Sequence, residues 1–401
     1  MSASRRRIRD IGNPIAAGRR RLRFVVALTA VALGAAACTI APPAAPDAAT
    51  PATIPTPAPS TPAPSTPEPS TPTTVPPNPQ GVTSVASGNW SDPSVWSTEQ
   101  VPAPNDSVTV AAGHTLTLDV SSAVVASITV KEAGALAFAA DRSVTVESSG
   151  NVVVAGALRM RPASPASVHT LRFVGIDERR FKGGGMEVLD SDVGLWIVGT
   201  GTLDAVGSAK TSWTRAASPV ADGTRSVTLA DTPTGWQIGD RIAIAPSEPP
   251  SVGTRSWRGF DERTIVGISG KTVTLDEPTD HAHPIVNNTW APEVMNLTRN
   301  VRIEGTPSGR THVMITARRP QTIANVDIRY TGPRWVKDEW DSQFIQGRYG
   351  LHFHMGGDTT RGSVVDGVVV RDGGSHGFVP HGSHGITFRN TIVYEQYEDG
   401  Y

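Results

Sequence analysis

Cysteine is all but missing: Cys38 is the only one in 401 residues. That excludes a disulfide-stapled scaffold and a cysteine-built metal knuckle. Aromatic residues make up 6% and charged residues 18%, a composition unlike that of a coiled coil or a charge-rich disordered chain. A Walker loop, a dinucleotide-binding glycine motif and a nucleophile elbow are also absent, which sets aside phosphate-cofactor and serine-hydrolase chemistry. Net charge is nearly nil at −1, but it is unevenly spread. The first 37 residues carry eight arginines against one acid, Asp10, so the remainder is acidic. Such a field does not draw in polyanions, so no nucleic-acid partner is expected, and an anionic ligand would need a local basic patch.

What is present begins with an export signal. Arg19, Arg20, Arg21 and Arg23 precede the apolar run Phe24 to Ala37. As a helix this run spans about 21 Å, short of the roughly 30 Å hydrocarbon core. A positive flank, a short apolar stretch and small residues at its end describe a signal peptide over 1–37. Gly34-Ala35-Ala36-Ala37-Cys38 resembles a bacterial lipobox, with Ala35 where that pattern prefers a bulky aliphatic residue; the alternative is ordinary cleavage with Cys38 left as a thiol. Residues 38–80 read as a disordered linker. Residues 41–80 hold 15 of the 33 prolines, and such sequence favours an extended spacer reaching on the order of 100 Å. The expected location is therefore outside the cell, with Cys38 as the lipidation site tying the chain to the membrane face or cell wall.

From residue 81 onward helical periodicity gives way to short alternating segments. Ser107-Val108-Thr109-Val110, Thr115-Leu116-Thr117-Leu118 and Ser127-Ile128-Thr129-Val130 are examples. Period-2 alternation broken by turn residues every 8–12 positions predicts an all-β fold. A longer period follows. Segments beginning at Asn300, Asn325, Asp366 and Asn390 look like copies of one rung, spaced by 25, 41 and 24 residues. Spacings near 24 suit one turn of a parallel β-helix, with coils about 4.8 Å apart. The long step predicts an insertion, placed at Thr331 to Gln346, whose Trp335, Trp340 and Phe344 suit either sugar stacking or capping of the apolar column.

Residues Asn89-Trp90-Ser91-Asp92, Trp96, Val101-Pro102, Asp106 to Val110, Gly113-His114-Thr115 and Gly201-Thr202-Leu203 resemble the G-eight (G8) domain family. Gly347-Arg348-Tyr349-Gly350-Leu351-His352-Phe353-His354 and His381-Gly382-Ser383-His384-Gly385 resemble the β-helix of the cell-migration-inducing hyaluronan-binding proteins, the cell-surface hyaluronidases and the fibrocystin-like proteins. The resemblance implies a right-handed parallel β-helix, an extracellular setting and a glycan partner, hyaluronan in the best-known animal members. It does not settle catalysis. The sequence departs from the family in carrying His376 where the animal proteins tend to have Arg. After Tyr394 it also ends at Glu398-Asp399-Gly400-Tyr401, in mid-coil, where the family continues, which reads as a truncation. The division expected is a G8 β-domain over 81–215 and a β-helix region over 216–401.

Five of the ten histidines lie between residues 352 and 384. In a strand, i and i+2 share a face, so His352 and His354 point one way while Leu351, Phe353 and Met355 point the other. His376 follows His354 by 22 residues, close to one coil. Three readings stay open. His352, His354 and His376 could hold a divalent metal, imidazole being a common ligand. His352, His354, Asp358 and His381 could act as acid and base in cleaving a glycosidic bond, by hydrolysis or by elimination from a uronate. Or the rings stack for structural reasons. Arg348, Tyr349, Trp335, Trp340, His376 and His384 are the expected glycan contacts, Arg348 as a fork for a carboxylate. The functional expectation is a surface-anchored protein that binds extracellular polysaccharide and could depolymerise a uronate-containing one; the alternative is a non-catalytic adhesion or scaffold module.

Overall fold

In the computed structural model, residues 81–247, 259–336 and 342–401 are described. The signal, the linker, Cys38 and Trp340 lie outside them. Most strands of the described region are short, and in many the alternate residues are sealed: Ser107–Val110 and Thr115–Leu118 both run exposed, buried, half-buried, buried. β-Branched and aliphatic side chains at every second position therefore need a column to fill, and the chain supplies one by coiling.

Successive coils each place one strand in each of three parallel sheets, two of eight strands and one of seven. The first sheet runs from Gly81–Thr83 to Phe378–Ser383, the second from Gly88–Asn89 to Thr387–Arg389, and the third from Ser122–Val125 to Ile392–Gln396. This is the right-handed parallel β-helix expected. The rungs anticipated from the 24-residue period are in register: Val301 lies beside Val326, Asp327 beside Val369, and Val369 beside Ile392. The corner before each of the last three rungs turns left-handed, at Asn325 (φ 52°), Gly367 (φ 66°) and Asn390 (φ 53°), a conformation that Asn and Gly adopt most readily. Inside runs one continuous column of side chains, from Val82 through Leu136, Val154 and Ile303 to Phe353 and Phe378.

Two insertions leave this column. The first is a six-stranded antiparallel sheet between Trp213–Arg215 and Glu293–Asn296, with its own core of Val227, Ile242, Ile265 and Val273. The second is a hairpin, Arg334–Val336 against Ser342–Phe344, within the insertion placed by the 41-residue step. The 215/216 boundary thus falls where the antiparallel insertion begins, and the same three sheets continue on both sides of it. Residues 81–401 lie within one compact unit.

Coil spacing leaves no room at some corners. A Cβ on Gly156 would sit 2.1 Å from the carbonyl oxygen of Gly134 and 2.4 Å from that of Lys131. Gly156→Ala is expected to cost about 1–3 kcal/mol, read as a lower midpoint in urea with an unchanged slope.

Candidate functional site

Strands Leu351–Gly357 and Phe378–Ser383 are neighbours in the first sheet, with Leu351 paired to Phe378 and His354 to His381. Leu351, Phe353 and Phe378 are fully buried in the column. The alternating His352 and His354 therefore face outward, as expected. Met355 does not continue the inward row. It takes φ 55° at a register shift between His354 and Gly357, and its side chain is exposed.

Three imidazoles converge on this outer wall. His352 Nε2 is 3.2 Å from His354 Nδ1, which is 3.1 Å from His381 Nδ1. The coil is 27 residues long here, so His381 lands beside His354. His376, expected at that place, lies apart. Its ring packs 4.9 Å from Phe344 and 5.0 Å from Tyr349, and its Nδ1 is 3.9 Å from Asp399. The group that could hold a metal is accordingly His352, His354 and His381, with His381 in the position assigned from sequence to His376.

His352 is 1% exposed, and its Nδ1 lies 2.9 Å from the carbonyl oxygen of Gly347, to which it donates. Burial, helped by the neighbouring His354, His381 and Arg348, lowers its pKa to about 4. Burial also lowers the pKa of the half-buried His354, with His381 and Arg348 adding to the effect. Both rings are thus neutral near pH 7, with a lone pair available on His352 Nε2.

A cavity of about 500 Å³ opens over the three rings, lined also by Tyr349, His376, Phe378, Pro380, Asp399, Gly184 and Gly185. A second, of about 450 Å³, shares Gln346 and Tyr349 with it and adds Phe344 and Gln343 from the hairpin. Together they form a groove rather than a closed pocket. Phe378, Asp399 and the Gly184–Gly185 lip were missed from sequence. The glycine run at 183–185 was the visible signal for the lip, whereas Asp399 carries no local motif.

Arg348 does not reach the groove, contrary to expectation. It is fully buried, its Nε donates to Asp192 at 2.8 Å, its Nη1 donates to the Gly184 carbonyl at 2.8 Å, and its guanidinium lies over Trp196 at 4.6 Å. Its Nη2 has no hydrogen-bond partner, but the whole guanidinium is sealed from the groove, so burial rather than saturation keeps it from a glycan. Burial would push the Asp192 carboxyl up, but hydrogen bonds from Ser191 and the Lys182 and Gly183 amides, with Arg348, hold it below the usual range. This pair pins the glycine lip from beneath.

Asp358 is likewise outside the groove, exposed and paired with Arg361 at 2.6 Å and His384 at 3.5 Å. The expected catalytic role of Asp358 and the expected glycan contact of His384 do not fit that placement. Tyr349 lines both cavities, and Trp335 is partly exposed on the hairpin opposite Gln343.

Two tests follow from this buried layer. Arg348→Ala, by stranding Asp192, is expected to cost about 3–5 kcal/mol of stability, whereas a residue used only for ligand contact would leave the melting temperature unchanged. The second concerns His312, fully buried beneath the site with its Nε2 3.0 Å from the Asp192 carbonyl. Burial, reinforced by Arg348, lowers its pKa to about 3. The unfolded chain then binds more protons below pH 6.5, so stability is full at neutral pH and falls as pH drops from 6.5 toward 3. Denaturant midpoints taken between pH 7 and 4 should decline, and less steeply in His312→Gln.

Comparison with known proteins agrees with the family resemblance. The G8 domain family matches residues 95–217. Protein rliB of Dictyostelium discoideum is 22% identical over 77% of the chain, and communication mutant protein F of the same organism is 23% identical over 77%. Human fibrocystin-L is 24% identical over 76%. The chain spans 27% of each of those two Dictyostelium proteins and 8% of fibrocystin-L. Among solved structures, the tailspike gp61 of Pseudomonas phage phi297 is 10% identical, with 68% of this chain and 40% of that chain covered and a TM-score of 0.23. The gp54 tailspike of Acinetobacter baumannii bacteriophage AP22, in complex with capsular saccharide, is also 10% identical, with 61% and 42% covered and the same TM-score. The chain thus carries a G8 domain at residues 95–217 and is similar to G8-domain proteins over about three quarters of its length.

Proposed function

We propose that the protein binds an extracellular polysaccharide in the groove over His352, His354 and His381, exported by its leader and tethered through Cys38 and the proline-rich linker. The observation that carries this reading is the groove itself. It runs across neighbouring coils, has Tyr349 as a wall common to both halves, and adds the exposed ring of Phe344. Flat aromatic faces beside neutral imidazoles offer a sugar ring stacking on one side and hydrogen bonds on the other. An elongated trough suits a polymer better than a small metabolite, which is usually more enclosed.

Glycoside hydrolysis by the common route needs two carboxyl groups flanking the bond. The groove carries two, Asp399 beside His376 in the main cavity and Glu398 beside Arg334 in the second. Hydrolysis and imidazole-assisted elimination from a uronate are the two depolymerising reactions these groups can serve, and binding without cleavage is the second reading.

Affinity electrophoresis of the purified protein through gels containing hyaluronan or another uronate-bearing glycan tests the binding claim. Retardation by at least one such polymer, reduced about tenfold or more in Tyr349→Ala, is the expected result. No retardation by any polymer of the panel would contradict the proposal. An unsaturated uronate product absorbing near 230 nm would add cleavage by elimination, and unchanged polymer length alongside retained binding would leave the adhesion reading.

A further inference from the structure

The proton count around His354 does not close. His352 uses its Nδ1–H on the Gly347 carbonyl, so its Nε2 turns a lone pair toward His354. His354 Nδ1 faces that lone pair at 3.2 Å and His381 Nδ1 at 3.1 Å. A neutral ring has one nitrogen bearing hydrogen and one bearing a lone pair. A single hydrogen on His354 Nδ1 can be aimed at one of its two neighbours, and a lone pair there opposes the one on His352. A cation among the three nitrogens satisfies all of them at once.

The dimensions agree. Metal–nitrogen bonds of about 2.0–2.1 Å at tetrahedral angles put ligand nitrogens about 3.3 Å apart, close to the two separations found. The remaining pair, His352 and His381, is bounded only at 4.8 Å, so the exposed His381 ring has to turn inward for all three nitrogens to meet one ion. The Gly347 carbonyl that fixes the His352 tautomer is the kind of outer partner that orients a metal-bound imidazole. Two ligands come from one strand at i and i+2 and the third from the aligned position on the next, so the β-ladder itself sets the spacing.

We infer that His352 Nε2, His354 Nδ1 and His381 Nδ1 form a three-histidine site for a divalent transition metal of the zinc class, with its remaining coordination position open to the groove. An all-nitrogen set selects against calcium and magnesium, which require oxygen ligands. Three histidines leave a fourth position for water or a ligand oxygen. The site deepens the proposed groove but does not depend on a glycan filling it, because its test uses metal alone.

Full-length protein prepared without a polyhistidine tag is stripped with a chelator and titrated with Zn²⁺, then with Co²⁺. One equivalent of Zn²⁺ per chain is expected, together with a visible Co²⁺ absorption of the intensity given by four-coordinate sites. His354→Ala and His381→Ala should each weaken Zn²⁺ binding on the order of 100-fold or more, and His376→Ala should not. His381 is exposed on the wall, so its replacement leaves the column intact, and the Co²⁺ spectrum of the unaltered protein needs no variant. Zinc well below one equivalent with no Co²⁺ absorption overturns the site. So does affinity unchanged in both His354→Ala and His381→Ala, or lost equally in His376→Ala.

Discussion

Parallel, in-register stacking of one coil on the next is the constraint from which the rest follows. Strand geometry allows each side chain two directions, and the aliphatic column claims one of them. Whatever occupies the other direction is delivered to an outer wall, with its counterpart on the next coil about 4.8 Å away. Leu351, Phe353 and Phe378 are driven inward by burial, and that alone turns His352, His354 and His381 to the same side. Chemistry on this wall is thus a by-product of hydrophobic packing behind it. A one-residue slip between the two strands would send the imidazoles into the column.

The wall is not supported by apolar packing alone. Beneath the imidazoles lies a polar layer of Arg348, Asp192, Trp196 and His312, joined by hydrogen bonds and ring contacts, with Arg348 Nη2 and His312 Nδ1 left unpaired. Buried ion pairs are weak contributors to net stability but costly to break, because the remaining partner is left charged in a dry site. Here the pair connects two distant stretches of chain, 156 residues apart, and carries the glycine lip on one side and Gly347 on the other. Its positive end also keeps protons off the neighbouring imidazoles. Packing, electrostatics and ligand readiness meet in that single arrangement.

Much of this was legible in the sequence, and the failures have physical causes. The rungs holding Val301, Val326, Val368 and Val393 could be read because each repeats an alternating apolar pattern that faces the column. The His352/His354 pair could be read because strand periodicity is fixed at two. The third imidazole could not, since which coil residue lands beside His354 depends on local coil length. The register shift and the short 3₁₀ turn Asp358–Thr360 extend this coil to 27 residues, so His381 takes the place that a 22-residue count gives to His376. Met355 was placed inward by alternation and came out exposed, because a left-handed residue interrupts the pleat. Arg348 beside two histidines looked like a ligand contact; nothing local announces that its carboxylate partner is Asp192.

The register between those two strands is open to direct measurement. With Cys38 replaced by Ser, the double substitution His354→Cys and His381→Cys puts two thiols on paired positions of adjacent strands, within the Cα separation of 4.4–6.8 Å that a disulfide tolerates. Mild oxidation of the folded protein should remove both free thiols and give a monomer cross-linked between residues 354 and 381, identifiable in a tryptic digest. Two thiols that stay reactive in folded, oxidised protein would mean that the coils are not stacked in this register, and that the imidazoles do not meet.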